Sequence, residues 1–207
     1  MTLSYAGDAD AAAAATTGSD AQPPWVAEEL PVEYAELARQ IAALREQAQR
    51  FEGVAGVIWR TGPDLTAALR DLFAALEFET ELVAPGGNYD LRVDLEGGRR
   101  LLVEVVSSPE PIDRRSSYIA RILRALQEDA GEKDRVVLAG NIFPELPVGT
   151  RRQDPVTVEA MRLIQGLGAN FVPTSALFGV WKSSLQDVAQ ARKSILKLYS
   201  MDGGIFR

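Results

Sequence analysis

Residues 88–106, Asn-Tyr-Asp-Leu-Arg-Val-Asp-Leu-Glu-Gly-Gly-Arg-Arg-Leu-Leu-Val-Glu-Val-Val, limit what this chain can fold into more than any other stretch. Tyr89, Leu91, Val93 and Leu95 alternate with polar residues, the pattern of a strand with one buried face. Gly97-Gly98 offers a turn, and the returning arm from Leu101 to Val106 is apolar except for Glu104. The pattern predicts a β-hairpin whose second arm runs through a core. A carboxylate there costs several kcal/mol if it is buried without a partner. Glu104 therefore demands one.

The pairing register suggests what that partner is. With Glu96-Gly97-Gly98 as a three-residue loop, Leu95 faces Arg99, Asp94 faces Arg100, and Asp90 faces Glu104. Directly opposed side chains have Cβ atoms roughly 4.5–5.5 Å apart, and like charges at that distance repel. Two carboxylates so placed make a poor structural pair but a good oxygen donor set for a divalent cation such as Mg²⁺. A two-residue Gly-Gly loop would instead set Leu91 opposite Glu104. A purely structural alternative also stands: Asp90 caps a turn, and Glu104 pairs with Arg92 or Arg100. Asp94 opposite Arg100 reads as a surface cross-strand pair.

Two absences narrow the chemistry. The chain has no cysteine and no histidine, which excludes disulfides, thiol nucleophiles, Ser-His-Asp triads and Cys- or His-ligated metals. Only carboxylates and the lysines 133, 182, 193 and 197 remain as general bases. Any hydrolysis is then expected to run on carboxylate-bound metal. The net charge of −7 is uneven. Residues 1–53 hold nine acids and three bases (−6), whereas residues 54–207 hold twenty acids and nineteen bases (−1). The body is near neutral, which neither requires nor forbids nucleic acid. No apolar run approaches the ~18–20 residues of a membrane span. The first residues lack a basic segment followed by an apolar one, so no signal peptide is expected and the chain reads as cytoplasmic.

Residues 1–24, rich in Ala, Gly, Asp, Ser and Thr, predict a disordered acidic tail. Residues 25–53 follow as an amphipathic segment. From Pro31 its helix carries Tyr34, Leu37, Ile41, Leu44, Ala48 and Phe51 at alternating spacings of three and four. That seam is about two and a half heptads long, shorter than a secure coiled coil. It fits a helix laid on the domain's own core, or one that pairs with a second copy or a partner chain through residues 31–53. Further on, apolar periodicity predicts a helix from Thr61-Gly62-Pro63-Asp64, a strand at 78–83, and the hairpin. A helix at 112–129, a strand at 136–139, a helix at 156–167, a strand at 170–172 and helices at 175–182 and 185–199 complete the pattern. Three consecutive strands followed by strands alternating with helices predict an α/β domain over residues 54–207, with a mixed central sheet flanked by helices.

Asp90, a hairpin, and Glu104 between the apolar residues Val103 and Val105 resemble the PD-(D/E)XK superfamily, the restriction-endonuclease-like nucleases. The helix end at Leu76-Glu77-Phe78 is similar to the "LGF" that leads into the family's first strand. Bacterial members show motifs similar to Trp59-Arg60-Thr61-Gly62, Gly140-Asn141-Ile142-Phe143, Pro147 to Arg151, Thr174 to Phe178, and Gly203-Gly204-Ile205, in that order. The resemblance implies a restriction-endonuclease-like core, Asp90 and Glu104 as Mg²⁺ ligands and catalytic residues, and DNA as a partner. It places Arg92, Arg100, Arg114 and Arg115 as candidate substrate contacts, with the Arg151-Arg152 pair as a further one. One departure matters more than these matches. The family's lysine falls at Val106, and valine has neither a proton to exchange nor a charge to offset a transition state. The resemblance therefore implies a degraded site: a weak or inactive pseudo-nuclease that binds protein or DNA, with an active Mg²⁺-dependent nuclease as the alternative.

Overall fold

A computed structural model of the chain describes residues 25–151 and 154–206. The predicted tail at 1–24, and Arg152, lie outside the described residues. Contacts divide the chain between Glu46 and Gln47. In the N-terminal unit, a short helix α1 (Val26–Glu29) precedes α2 (Val32–Ala55), which continues past the division. The seam residues Tyr34, Leu37, Ile41 and Leu44 are 48–64% exposed, and Val32 is 80% exposed.

In the unit Gln47–Arg207 the hairpin forms as its residues dictate. Strand β2 (Leu91–Leu95) returns through Glu96–Gly98 into β3 (Arg99–Ser108). Leu95 faces Arg99 and Asp94 faces Arg100, the three-residue-loop register. Gly97 and Gly98 both have positive φ, 75° and 73°, a conformation in which a side chain would be strained. Around the hairpin lie α3 (Gly62–Ala75), β1 (Glu79–Leu82), α4 (Ser117–Arg124), β4 (Asp134–Ile142), α5 (Val158–Gly166), β5 (Asn170–Pro173), α6 (Thr174–Ser184), α7 (Val188–Ser200) and β6 (Gly204–Ile205). The final strand β6 was not expected, since two residues carry no periodicity.

The strands form one mixed α/β sheet in the order β1-β2-β3-β4-β5-β6. The first two pairings are antiparallel and the next three parallel. Strand parity sorts two cores onto the two faces. Leu91, Val93, Leu101 and Val103 pack with Leu65, Leu69, Leu72 and Phe73 of α3, and with Leu177, Trp181 and Ile195 from α6 and α7. Leu102, Val106, Val136 and Leu138 pack on the other face with Ile119 and Ile122 of α4, and with Ala160 and Ile164 of α5. Phe51, the last seam residue, meets Trp181 edge-on with ring centroids 5.7 Å apart. Glu104 stands on the α4 side of β3, in the strand between β2 and β4, and is fully buried.

The helix expected at 112–129 starts later. Residues 113–116 form a turn, α4 follows, and Ala125–Asp129 closes it as a π-type turn. Among the described residues no helix is long and apolar enough to cross a membrane.

Candidate functional site

The ladder between β2 and β3 ends at Leu91 opposite Val103. One residue earlier, the Asp90 N–H donates to the Val103 carbonyl at 2.9 Å. The Asp90 carboxylate then takes over from the backbone: Oδ2 accepts the Val105 N–H at 2.8 Å. Asp90 and Glu104 are thus brought together as the register predicts, although by a side-chain bond rather than by one further ladder pair.

The partner of both is Arg121, which was not among the expected site residues. Its Nη2 donates to Asp90 Oδ1 at 3.0 Å and to the Gly87 carbonyl at 3.2 Å. Its Nη1 lies 2.9 Å from Glu104 Oε1. That contact is an ion pair without hydrogen-bond alignment, so neither oxygen of Glu104 has a hydrogen-bond partner. Burial pushes the Glu104 carboxyl up to about 8, the Asp90 charge adds to the rise, and Arg121 only partly offsets it. The raised Glu104 carboxyl keeps its own proton near neutral pH. With that proton the trio carries one negative and one positive charge and is balanced.

The arginines expected at the site stand elsewhere. Arg92 pairs with Glu81 at 2.8 Å and Asp94 at 3.2 Å. Arg100 does sit opposite Asp94, but its guanidinium grips Asp134 with bonds of 2.8 and 2.6 Å. Burial alone would raise the Asp134 carboxyl, yet the bonds from Arg100 and from the Gly131 N–H hold it below the usual range. The bidentate grip on a buried carboxylate explains why Arg100 leaves Asp94 to Arg92. Neither arginine reaches Glu104, which corrects the expected structural partners. Arg114 and Arg115 line a separate groove with Leu123, Arg162 and Leu163, on the side of α4 away from Asp90. They are not part of this site. Arg151 is half-buried, and its guanidinium is already engaged by backbone carbonyls and Asn141.

A cleft of about 710 Å³ opens over Asp90 and Arg121. The start of α3 at Gly62 and Pro63, the 82–87 loop, Ser107, Tyr118 and Arg124 complete its walls. Glu104 lies behind this wall rather than in it. The loop is tethered to the far end of the crossover helix, where Asn88 donates to Glu128 and Asp129 at 2.9 Å each. A signal for Arg121 did exist in the sequence. A helix that connects the parallel strands β3 and β4 by a right-handed crossover passes over the sheet face that bears Glu104. Tyr118, Arg121 and Arg124, three apart, border its apolar stripe.

The residues present do not fit a resident Mg²⁺. Asp90 spends one oxygen on Val105 N–H and the other on Arg121, and Arg121 also holds Glu104 Oε1. Only Glu104 Oε2 is uncommitted, and it is buried. Among the described residues no group of three or more acidic side chains could hold a metal ion. Val106 is 1% exposed and packed in the α4–α5 core, so nothing stands where the motif lysine would be. The chain matches no protein-family model and no curated protein.

Proposed function

We propose that residues 54–207 form a restriction-endonuclease-like domain with a silent catalytic site, a pseudo-nuclease that works as a binding module. One observation carries this reading: the cation set between the two carboxylates is a guanidinium. Arginine stays protonated, so it cannot act as a base, and it balances charge that a metal would otherwise neutralise. The near-neutral body favours a protein partner over DNA. The exposed seam of α2 would serve assembly, with residues 31–53 pairing with a second copy or a partner chain.

A nuclease assay tests the catalytic half of this reading. Single- and double-stranded DNA and RNA are incubated with Mg²⁺ or Mn²⁺ and with wild type, Glu104→Ala or Val106→Lys. The wild type should show no metal-dependent cleavage above background. Cleavage by the wild type that disappears in Glu104→Ala would establish the active nuclease instead. Light scattering tests the assembly half: Leu37→Asp with Ile41→Asp should lower the solution mass. A wild type that is already monomeric would remove the seam as a self-association surface.

A further inference from the structure

We propose that Arg121 is a built-in cation that occupies the position of a divalent ion between Asp90 and Glu104, and that its removal turns this pair into a metal site. The inference rests on reading the two acids as a nuclease-type carboxylate pair, and it does not depend on whether the domain cleaves anything.

The geometry is that of a filled site. Nη2 and Nη1 of one guanidinium take an oxygen from each carboxylate, at 3.0 and 2.9 Å. The third anchor, the Gly87 carbonyl, fixes the group from the loop side. A hard divalent cation binds oxygens at roughly 2.0–2.6 Å and would need the same two oxygen atoms and the space in front of them. A guanidinium and a dication cannot share them, because both are positive and the pair is walled by low-dielectric core. The plug is also imperfect, and the imperfection is informative. Glu104 is fully buried, yet both its oxygens lack a hydrogen-bond partner. A planar fork suits one carboxylate at a time, whereas a spherical ion accepts oxygens from any direction. Glu104 thus keeps acceptors that the fork does not hydrogen-bond. Arg121 comes from α4, outside the hairpin, and its side chain is 28% exposed at the cleft. It can be replaced without altering a strand.

Mn²⁺ is the probe, titrated calorimetrically into full-length protein at pH 8. Wild type should show no saturable site below millimolar concentration. Arg121→Met, which keeps the apolar stem and removes the charge, should bind one Mn²⁺ at least tenfold more tightly. Adding Glu104→Gln to that variant should abolish the gain. If Arg121→Met does not fold, Arg121→Gln retains a donor for the Gly87 carbonyl and serves in its place. Equal Mn²⁺ affinity in wild type and variant overturns the inference, as does no binding by a folded Arg121 variant. The two readings fail separately. Wild type that binds Mn²⁺ through Glu104 without cleaving overturns only the plug, whereas metal-dependent cleavage by wild type overturns the silent-nuclease reading as well.

Discussion

Stability should fall as pH rises from about 5 to about 8, and Glu104→Gln should remove most of that slope. The cause is the proton that the fold keeps on Glu104, whose carboxyl is pushed up to about 8 from an ordinary 4.5. Below the ordinary value the carboxyl is protonated in both the folded and the unfolded chain, and the site costs nothing extra. Between the two values the folded state holds a proton that the unfolded state has released, so raising the pH favours unfolding. Above about 8 the penalty is complete and the slope ends. At about 1.4 kcal/mol per pH unit the whole window amounts to as much as about 5 kcal/mol. Glutamine imitates the protonated form at every pH. The variant should therefore match wild type near pH 5 and exceed it by a few kcal/mol near pH 8–9. Urea denaturation across pH 5–9 reads both curves, and parallel profiles would show that Glu104 does not hold this proton. Asp134 works in the opposite sense and in another window. Its carboxyl is held below the usual range, so its contribution is present above about pH 4 and is lost as pH falls further.

Arg151→Ala should cost about 2–4 kcal/mol, a large share of a typical domain's stability. Arg151 ties its own loop to the end of β4 and to the distant turn at Ile58. Its Nε donates to the Leu146 carbonyl at 3.0 Å, Nη1 to Asn141 Oδ1 at 2.8 Å, and Nη2 to the Ile58 carbonyl. Asn141 in turn donates to the Arg60 carbonyl at 2.9 Å and is fully buried. No carboxylate takes part in these bonds, and burial pushes the guanidinium below its usual value. Removing it takes the donor from two part-buried oxygens, Asn141 Oδ1 and the Ile58 carbonyl, and each orphaned acceptor costs about 1–3 kcal/mol when shielded from water, whereas the Leu146 carbonyl is exposed and can turn to solvent. Arg151→Lys should recover less than half of the loss, because an ammonium cannot reach three diverging acceptors from one plane. A denaturation midpoint unchanged in Arg151→Ala would show that water replaces these bonds without cost.

The same cluster explains why three separated motifs stood out in the sequence. Trp59-Arg60-Thr61-Gly62, Gly140-Asn141-Ile142-Phe143 and the Pro147 to Arg151 loop contribute to one hydrogen-bonded knot that fixes the approach to α3. Each motif was visible alone. Their convergence was not, because nothing local to Arg151 says which carbonyl it will find.

For the existence and buried faces of the hairpin the local sequence was sufficient. Alternating apolar residues fix which face each strand buries, but Gly97-Gly98 allowed a two- or a three-residue loop, and the folded hairpin takes the three-residue one, from Leu95–Arg99 to Leu91–Val103. The mixed sheet was readable for a similar reason, since three strands followed by alternating helices leave few ways to bury their apolar faces. Pairing between charged side chains was beyond reach. Arg100 stood opposite Asp94 and chose Asp134; Glu104 was matched by neither Arg92 nor Arg100 but by Arg121, seventeen positions away on a crossover helix. Long charged side chains reach several acceptors, and which one wins depends on burial and direction, which the packed chain alone supplies. Residue pattern was enough to place an acid inside this hairpin, and one of the two loop lengths it allowed set Asp90 beside that acid. That the charge facing them is an arginine came from the packing, because the helix that carries Arg121 is placed by its contacts with the whole sheet.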